Sequence, residues 1–209
     1  MVICRNSLAG YLTLNPSTKA YFSRLYEESD DPWNFESSEY ESQKYEQSLR
    51  ALPGETYANA LEIGCSIGVF TARLARICRR LHAVDVAEAA VQKAKQRCRA
   101  LPHVRLSVMC VPETYPNDLF DLTVLSEVGY YLTRKELAKL SDEITNHAVP
   151  DGHLLLVHWL EPLPDRELRG NDVHDHFLAR PEWSSLSHSC ESRFRIDVLE
   201  RKRGLAGPL

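Results

Sequence analysis

Between Tyr57 and Trp159, short apolar runs alternate with amphipathic stretches, and Gly, Pro or an acid marks most of the changes. Ala58–Ile63 predicts a strand, Gly64–Gly68 a turn, and Val69–Arg80 a helix with Phe70, Leu74 and Ile77 on one face. Leu81–Val86 predicts a second strand that closes on an acid. Ala87–Ala100, rich in Ala, Lys and Gln and free of Gly and Pro, predicts a second helix. Val104–Cys110 and Leu119–Ser126 read as the third and fourth strands and Arg134–His147 as a helix. His153–Trp159, after Pro150-Asp151-Gly152, reads as a strongly apolar fifth strand. Strands alternating with helices imply a parallel sheet covered on both faces. Residues 1–50 are polar, aromatic and irregular, with DDPWNF at 30–35, and a helical pattern runs from about Glu39 to Leu52 before Pro53-Gly54. Beyond Leu160 the pattern predicts a polar loop and a single further strand near Arg193–Arg201. The expected organisation is a cap or lid over residues 1–53, an α/β core over 54–203 and a loose tail over 204–209.

Composition narrows the class. The 209 residues suit one domain, and 44% hydrophobic with 26% charged residues is ordinary for a globular protein. A formal charge of −4 argues against nucleic acid or an anionic membrane as the main partner. No run of eighteen apolar residues spans a bilayer, and the first residues lack the order of a signal peptide, so a cytoplasmic location is expected. The six cysteines form no C-x-x-C pair and are expected to be reduced core fillers. His174 and His176 alternate in DVHDHF without a local third ligand, and no metal site is expected.

The turn Leu61-Glu62-Ile63-Gly64-Cys65-Ser66-Ile67-Gly68 ends the first strand, where an open α/β sheet holds its ligands. Glycine permits the tight turn, and the following helix start favours an anionic group such as a carboxylate. Asp85, twenty-one residues beyond Gly64, is placed to accept both hydroxyl protons of a ribose. The dinucleotide fingerprint needs G-x-G-x-x-G, whereas only G-x-x-x-G is present, and no Gly-Lys-Ser/Thr of a phosphate loop follows. Glu62 is a poor neighbour for a pyrophosphate and suits the ammonium and sulfonium charges of S-adenosylmethionine.

These residues, with Phe120-Asp121-Leu122 and the segment SEVGYYL, resemble the class I methyltransferases, whose fold is a Rossmann-like, doubly wound, mostly parallel α/β sheet. DPWNF, the stretch Tyr40–Tyr45 and HLLLVHWLEPLPDRELRGNDVHDHF carry a narrower resemblance, to the rhizobial nodulation protein S family. That resemblance implies S-adenosylmethionine as methyl donor, S-adenosylhomocysteine as product and, as acceptor, the free amine of the non-reducing-end glucosamine of a deacetylated chitooligosaccharide. Two departures stand out. Ser66 replaces a frequent middle glycine, and Cys110 stands where many relatives of the class place an acid toward adenine. Adenine contacts are therefore expected from Val86, Cys110 and Val111, with Trp33 or Tyr40 over the cofactor and Cys65, Gly68 and Ser126 completing its site.

Glu127, just past the fourth strand, is the first candidate for holding the acceptor amine; a helix-start acid or a ribose contact is the alternative. His158 is the second candidate as a proton acceptor, against the plainer reading of a hydrogen-bonded core residue. Trp33, Tyr40 and Tyr45 suit either a lid or an inward-packed helix. Tyr130, Tyr131 and Trp159 are expected to stack on sugar faces or to pack the core. Asp172, His174 and His176 are expected in a loop along an oligosaccharide groove, or in a solvated one. Another small amine or hydroxyl acceptor, or a non-catalytic module that senses the donor, remains open. A monomer is favoured.

Overall fold

The computed structural model describes residues 18–161 and 166–204. Among them, one sheet holds β1 (Ala60–Ile63), β2 (Leu81–Asp85), β3 (Val104–Val108), β4 (Phe120–Ser126), β5 (Ala148–Trp159), β6 (Trp183–Cys190) and β7 (Phe194–Arg201). The spatial order is β3-β2-β1-β4-β5-β7-β6. The first five strands run parallel, and β7 lies antiparallel between β5 and β6. The helices are α1 (Thr18–Glu28), α2 (Glu39–Ala51), α3 (Val69–Leu74), α4 (Glu88–Arg97), α5 (Arg134–His147) and α6 (Gly170–Leu178). This is the doubly wound α/β architecture of a class I methyltransferase.

β5 shows why its sequence lacks polar alternation. Leu154 and Leu156 enter one core with Leu61, Leu137 and Leu140, while Leu155 and Val157 enter the other with Leu122, Val124 and Leu74. A strand buried on both faces has no polar side to show.

Several elements differ from expectation. The helix expected over Val69–Arg80 stops at Leu74 as α3 and passes through one 3₁₀ turn, Ala75–Ile77, after which Cys78 bridges Tyr57. β5 begins at Ala148, with Pro150-Asp151-Gly152 inside the strand beside a register shift against β4. Asp151 takes φ +60 within this irregularity, and regular pairing with β4 resumes at His153. Residues 18–28 form α1 where an irregular segment was expected. The expected polar loop contains α6, whose buried Gly170, Val173, His174 and Phe177 keep helical spacing. β6, WSSLSHSC, is a mostly exposed edge strand with no apolar alternation. Five cysteines among the described residues are free thiols; Cys4 and most of the C-terminal tail lie outside them. Among the described residues no helix is long and apolar enough to cross a membrane.

Trp183 anchors β6: it is 3% exposed, and its indole N–H donates to Thr145 Oγ1 at 3.0 Å. Trp183→Ala is expected to cost about 3–5 kcal/mol in urea unfolding. A loss below about 1 kcal/mol would show that the edge strand does not depend on this anchor.

Candidate active site

The strand order reverses between β1 and β4, and a cavity of about 950 Å³ opens there. Gly64 lines it at φ +86, and a Cβ at this position would lie 2.3 Å from Val128 Cγ2. Only glycine fits. Ser66, at φ +50, donates its amide to Asp85 Oδ2 at 2.9 Å, and the Ala87 amide donates to Oδ1 at 2.9 Å. The carboxylate thereby ties the ends of β1 and β2 together while still facing the cavity. Burial raises the Asp85 pKa, and the two amides oppose that rise. The Ser66 hydroxyl meets Tyr26 of α1 at 2.5 Å.

Beside this turn, Glu62, Cys65, Ser126 and Glu127 line a second cavity of about 40 Å³. Glu62 is 2% exposed, and its Oε2 has no hydrogen-bond partner among the described residues. Burial, with the Thr71 hydroxyl opposing it and Asp85 adding repulsion, raises its pKa to about 7. Gly68 lies outside both linings. At φ +79 it starts α3, and a Cβ there would sit 3.0 Å from Ala94 of α4, so it sets helix packing.

Val86, Met109, Cys110 and Val111 also line the large cavity, as do Tyr26, Trp33 and Phe35. The DPWNF turn is held by Asp31, whose carboxylate accepts the amides of Phe35 at 2.8 Å and Glu36 at 2.9 Å. Trp33 stacks on Phe35 with ring centres 5.4 Å apart. Tyr45 lies inward, stacked on Phe70 at 4.9 Å and away from the large cavity.

Another part of the lining is charged. Glu127 adopts φ +57 directly after β4, and its carboxylate accepts three donors: Lys44 Nζ at 2.7 Å, the Trp159 amide at 3.0 Å and the Tyr130 hydroxyl. Lys44 is 2% exposed and also meets Glu41 at 2.9 Å. Burial alone would lower its pKa, but Glu127 and Glu41 outweigh it and raise the value, so the ammonium stays charged. Burial raises the Glu41 pKa. Tyr40 and Trp159 stand edge to face at 5.8 Å, with the Arg193 guanidinium 4.6 Å from the Tyr40 ring and 5.7 Å from Trp159. Arg166 sits 4.8 Å from the Tyr131 ring.

Ser126, Glu127, Tyr130, Tyr131 and Trp159 therefore line the same cavity as Trp33, Tyr40, Gly64, Ser66, Asp85, Val86, Cys110 and Val111. His158 does not. It is 0% exposed, Nε2 accepts the Gly129 amide at 3.2 Å and Nδ1 meets His174 at 3.1 Å, leaving no nitrogen for a substrate proton. Burial pushes its pKa well below the ordinary histidine range. The groove expected from Asp172, His174 and His176 is also corrected. Asp172 accepts the Arg169 amide at the start of α6, His174 is fully buried, and His176 meets Ser141 of α5 at 2.8 Å. None of the three lines the cavity. Sequence reasoning missed Glu41, Lys44 and Arg166. EYESQK reads as an ordinary exposed i,i+3 ion pair, and only the meeting with Glu127 across the fold distinguishes it.

The family model of Nodulation protein S (NodS) matches residues 19–157. Nodulation protein S of Sinorhizobium fredii (strain NBRC 101917 / NGR234) is 33% identical, over 73% of this chain and 72% of that protein. Its namesake from Bradyrhizobium diazoefficiens is 38% identical, over 49% of this chain and 50% of that protein. Among solved structures, the N-methyltransferase NodS from Bradyrhizobium japonicum WM9, in complex with S-adenosyl-L-homocysteine, superposes with a TM-score of 0.80. It is 25% identical, over 88% of this chain and 97% of that one. With the match covering well over half of its length, the chain belongs to the nodulation protein S family.

Proposed function

We propose that this protein transfers a methyl group from S-adenosylmethionine to the free amine of the non-reducing-end glucosamine of a deacetylated chitooligosaccharide. The observation that carries the reading is one cavity lined both by Asp85 and by the Glu41–Lys44–Glu127 cluster, with six carboxylates against three basic side chains. Such a lining favours a cationic donor and an amine-bearing acceptor. Family membership supports the reaction, and the aromatic and charged groups at the Glu127 end suit an amino sugar.

The residues fit the donor on two counts. Gly64 leaves open the space that a side chain would fill, and the Glu62 carboxylate has an oxygen without a partner beside the small cavity. Asp85 would accept the ribose hydroxyls, Glu62 and the Gly64–Ser66 turn would hold the amino-acid end, and Val86, Cys110 and Val111 would flank the adenine beneath Trp33. When bound, the donor supplies an activated methyl group on a positively charged sulfur.

The protein's task is then alignment and exclusion of water. Holding reactants in line contributes up to roughly 7–11 kcal/mol. Glu127 orients the amine, and Lys44 and the Trp159 amide fix the carboxylate in turn. Positive charge builds on the nitrogen as its lone pair engages the methyl carbon, and Glu127 and Glu41 lie where that charge grows. Tyr40, Tyr131 and Trp159 line the cavity where apolar ring surface would border the sugar.

Labelled S-adenosylmethionine is expected to mark chitooligosaccharides with a free terminal amine and to leave fully acetylated ones unmarked. Normal donor binding without label on the deacetylated sugar would reject this acceptor. Asp85→Asn is expected to weaken binding of S-adenosylhomocysteine by about 10–100-fold in calorimetry, through the loss of charge-assisted bonds to the ribose. Glu127→Gln is expected to lower kcat by about 10²-fold with donor affinity nearly unchanged. The reverse pattern would make Glu127 a donor contact.

A further inference from the structure

Behind the Glu127 end of the cavity, groups from four parts of the chain form one hydrogen-bonded line. The Gly129 amide donates to His158 Nε2 at 3.2 Å, His158 Nδ1 meets His174 Nε2 at 3.1 Å, and His174 Nδ1 meets Asp197 Oδ2 at 2.5 Å. His158 of β5, His174 of α6 and Asp197 of β7 are each 0% exposed. A backbone amide can only donate, and a carboxylate only accepts. With both rings neutral, one proton arrangement satisfies the line: each histidine carries its hydrogen on Nδ1. Arg195 Nε at 2.7 Å and His188 Nδ1 at 2.7 Å hold the same carboxylate from outside.

The line is clamped sterically as well. A Cβ at Gly129 would come within 2.5 Å of Val173 Cγ1, and one at Gly170 within 2.2 Å of the Trp159 carbonyl oxygen. α6 therefore presses directly on the turn after β4 and on the end of β5. That turn carries Glu127 at positive φ, and the Gly129–Tyr131 segment brings the Tyr130 hydroxyl back to Glu127. Strain at such a position persists only where the surroundings over-determine it.

We propose that His158, His174 and Asp197 are positioning residues: by fixing the Gly129 amide they fix the carboxylate of Glu127 and the hydroxyl of Tyr130, while touching neither donor nor acceptor. The proposal rests on the reading of Glu127 as the acceptor-orienting group.

Its first test is independent of turnover. Nitrogen-15 NMR of the histidine-labelled protein at neutral pH is expected to show His158 and His174 neutral and protonated at Nδ1; an Nε2-protonated or cationic His158 would overturn the proposal. The second test compares His158→Gln, whose side-chain oxygen can still accept the Gly129 amide, with His158→Leu, which cannot. His158→Leu is expected to lower kcat by about 10²-fold and to shift the Gly129 amide proton resonance, with the donor Kd nearly unchanged. His158→Gln is expected to restore both the resonance and most of kcat. Equal losses in the two variants, tracking only the folded fraction, would reduce the line to core packing. Should no sugar accept a methyl group, the tautomers and the Gly129 resonance still decide the proposal, so its failure and that of the acceptor assignment are separable.

Discussion

A lysine ammonium withdrawn from water must be compensated where it stands, and the placement of Lys44 organises this protein's site. Removing a charge from solvent is expensive unless partners with good geometry surround it. Here Glu41 lies one helical turn earlier, and Glu127 arrives from the core of the fold. The ion pair therefore joins α2 to the end of β4, making the helix ahead of the glycine turn part of the site. A buried pair of this kind is weak evidence for stability and better understood as a device that fixes one arrangement.

Everything around that pair follows from the sheet. Parallel strands deliver their carboxyl ends to one edge, and the reversal between β1 and β4 leaves the crevice in which Gly64, Asp85 and Glu127 meet. Two carboxylates there behave differently because their surroundings differ. Asp85 is satisfied by backbone amides and lines the large cavity, whereas Glu62 lies almost wholly buried beside the small one and keeps an oxygen without a partner among the described residues. Glu127 is a third case, held by three donors in a turn whose backbone lies in the left-handed region.

The half of the fold that forms the parallel sheet was legible because burial on both faces leaves a strong signal. Leu154–Val157 has no alternative reading, and the Gly64–Asp85 spacing follows from backbone geometry. The remainder was hidden by polar residues inside the protein. His174 counts as polar in any hydrophobic pattern, so α6 looked like a loop, and β6 is an edge strand that buries little beyond Trp183. The same blindness affected the site. Lys44 and Glu41 carry no local sign of burial, since the partner that joins them is 83 residues away from Lys44. His158 was noticed for its chemistry, yet its ring is spent on internal bonds. A sequence shows which residues can titrate; which of them face a cavity depends on contacts between distant segments.

The central claim is that the amine of an amino sugar sits between the donor's methyl group and Glu127. A crystal structure with S-adenosylhomocysteine and a short deacetylated chitooligosaccharide measures this directly. The account predicts the terminal nitrogen within hydrogen-bond distance of the Glu127 carboxylate and facing the sulfur. A sugar bound with that nitrogen turned away from both, or outside the cavity altogether, would contradict it.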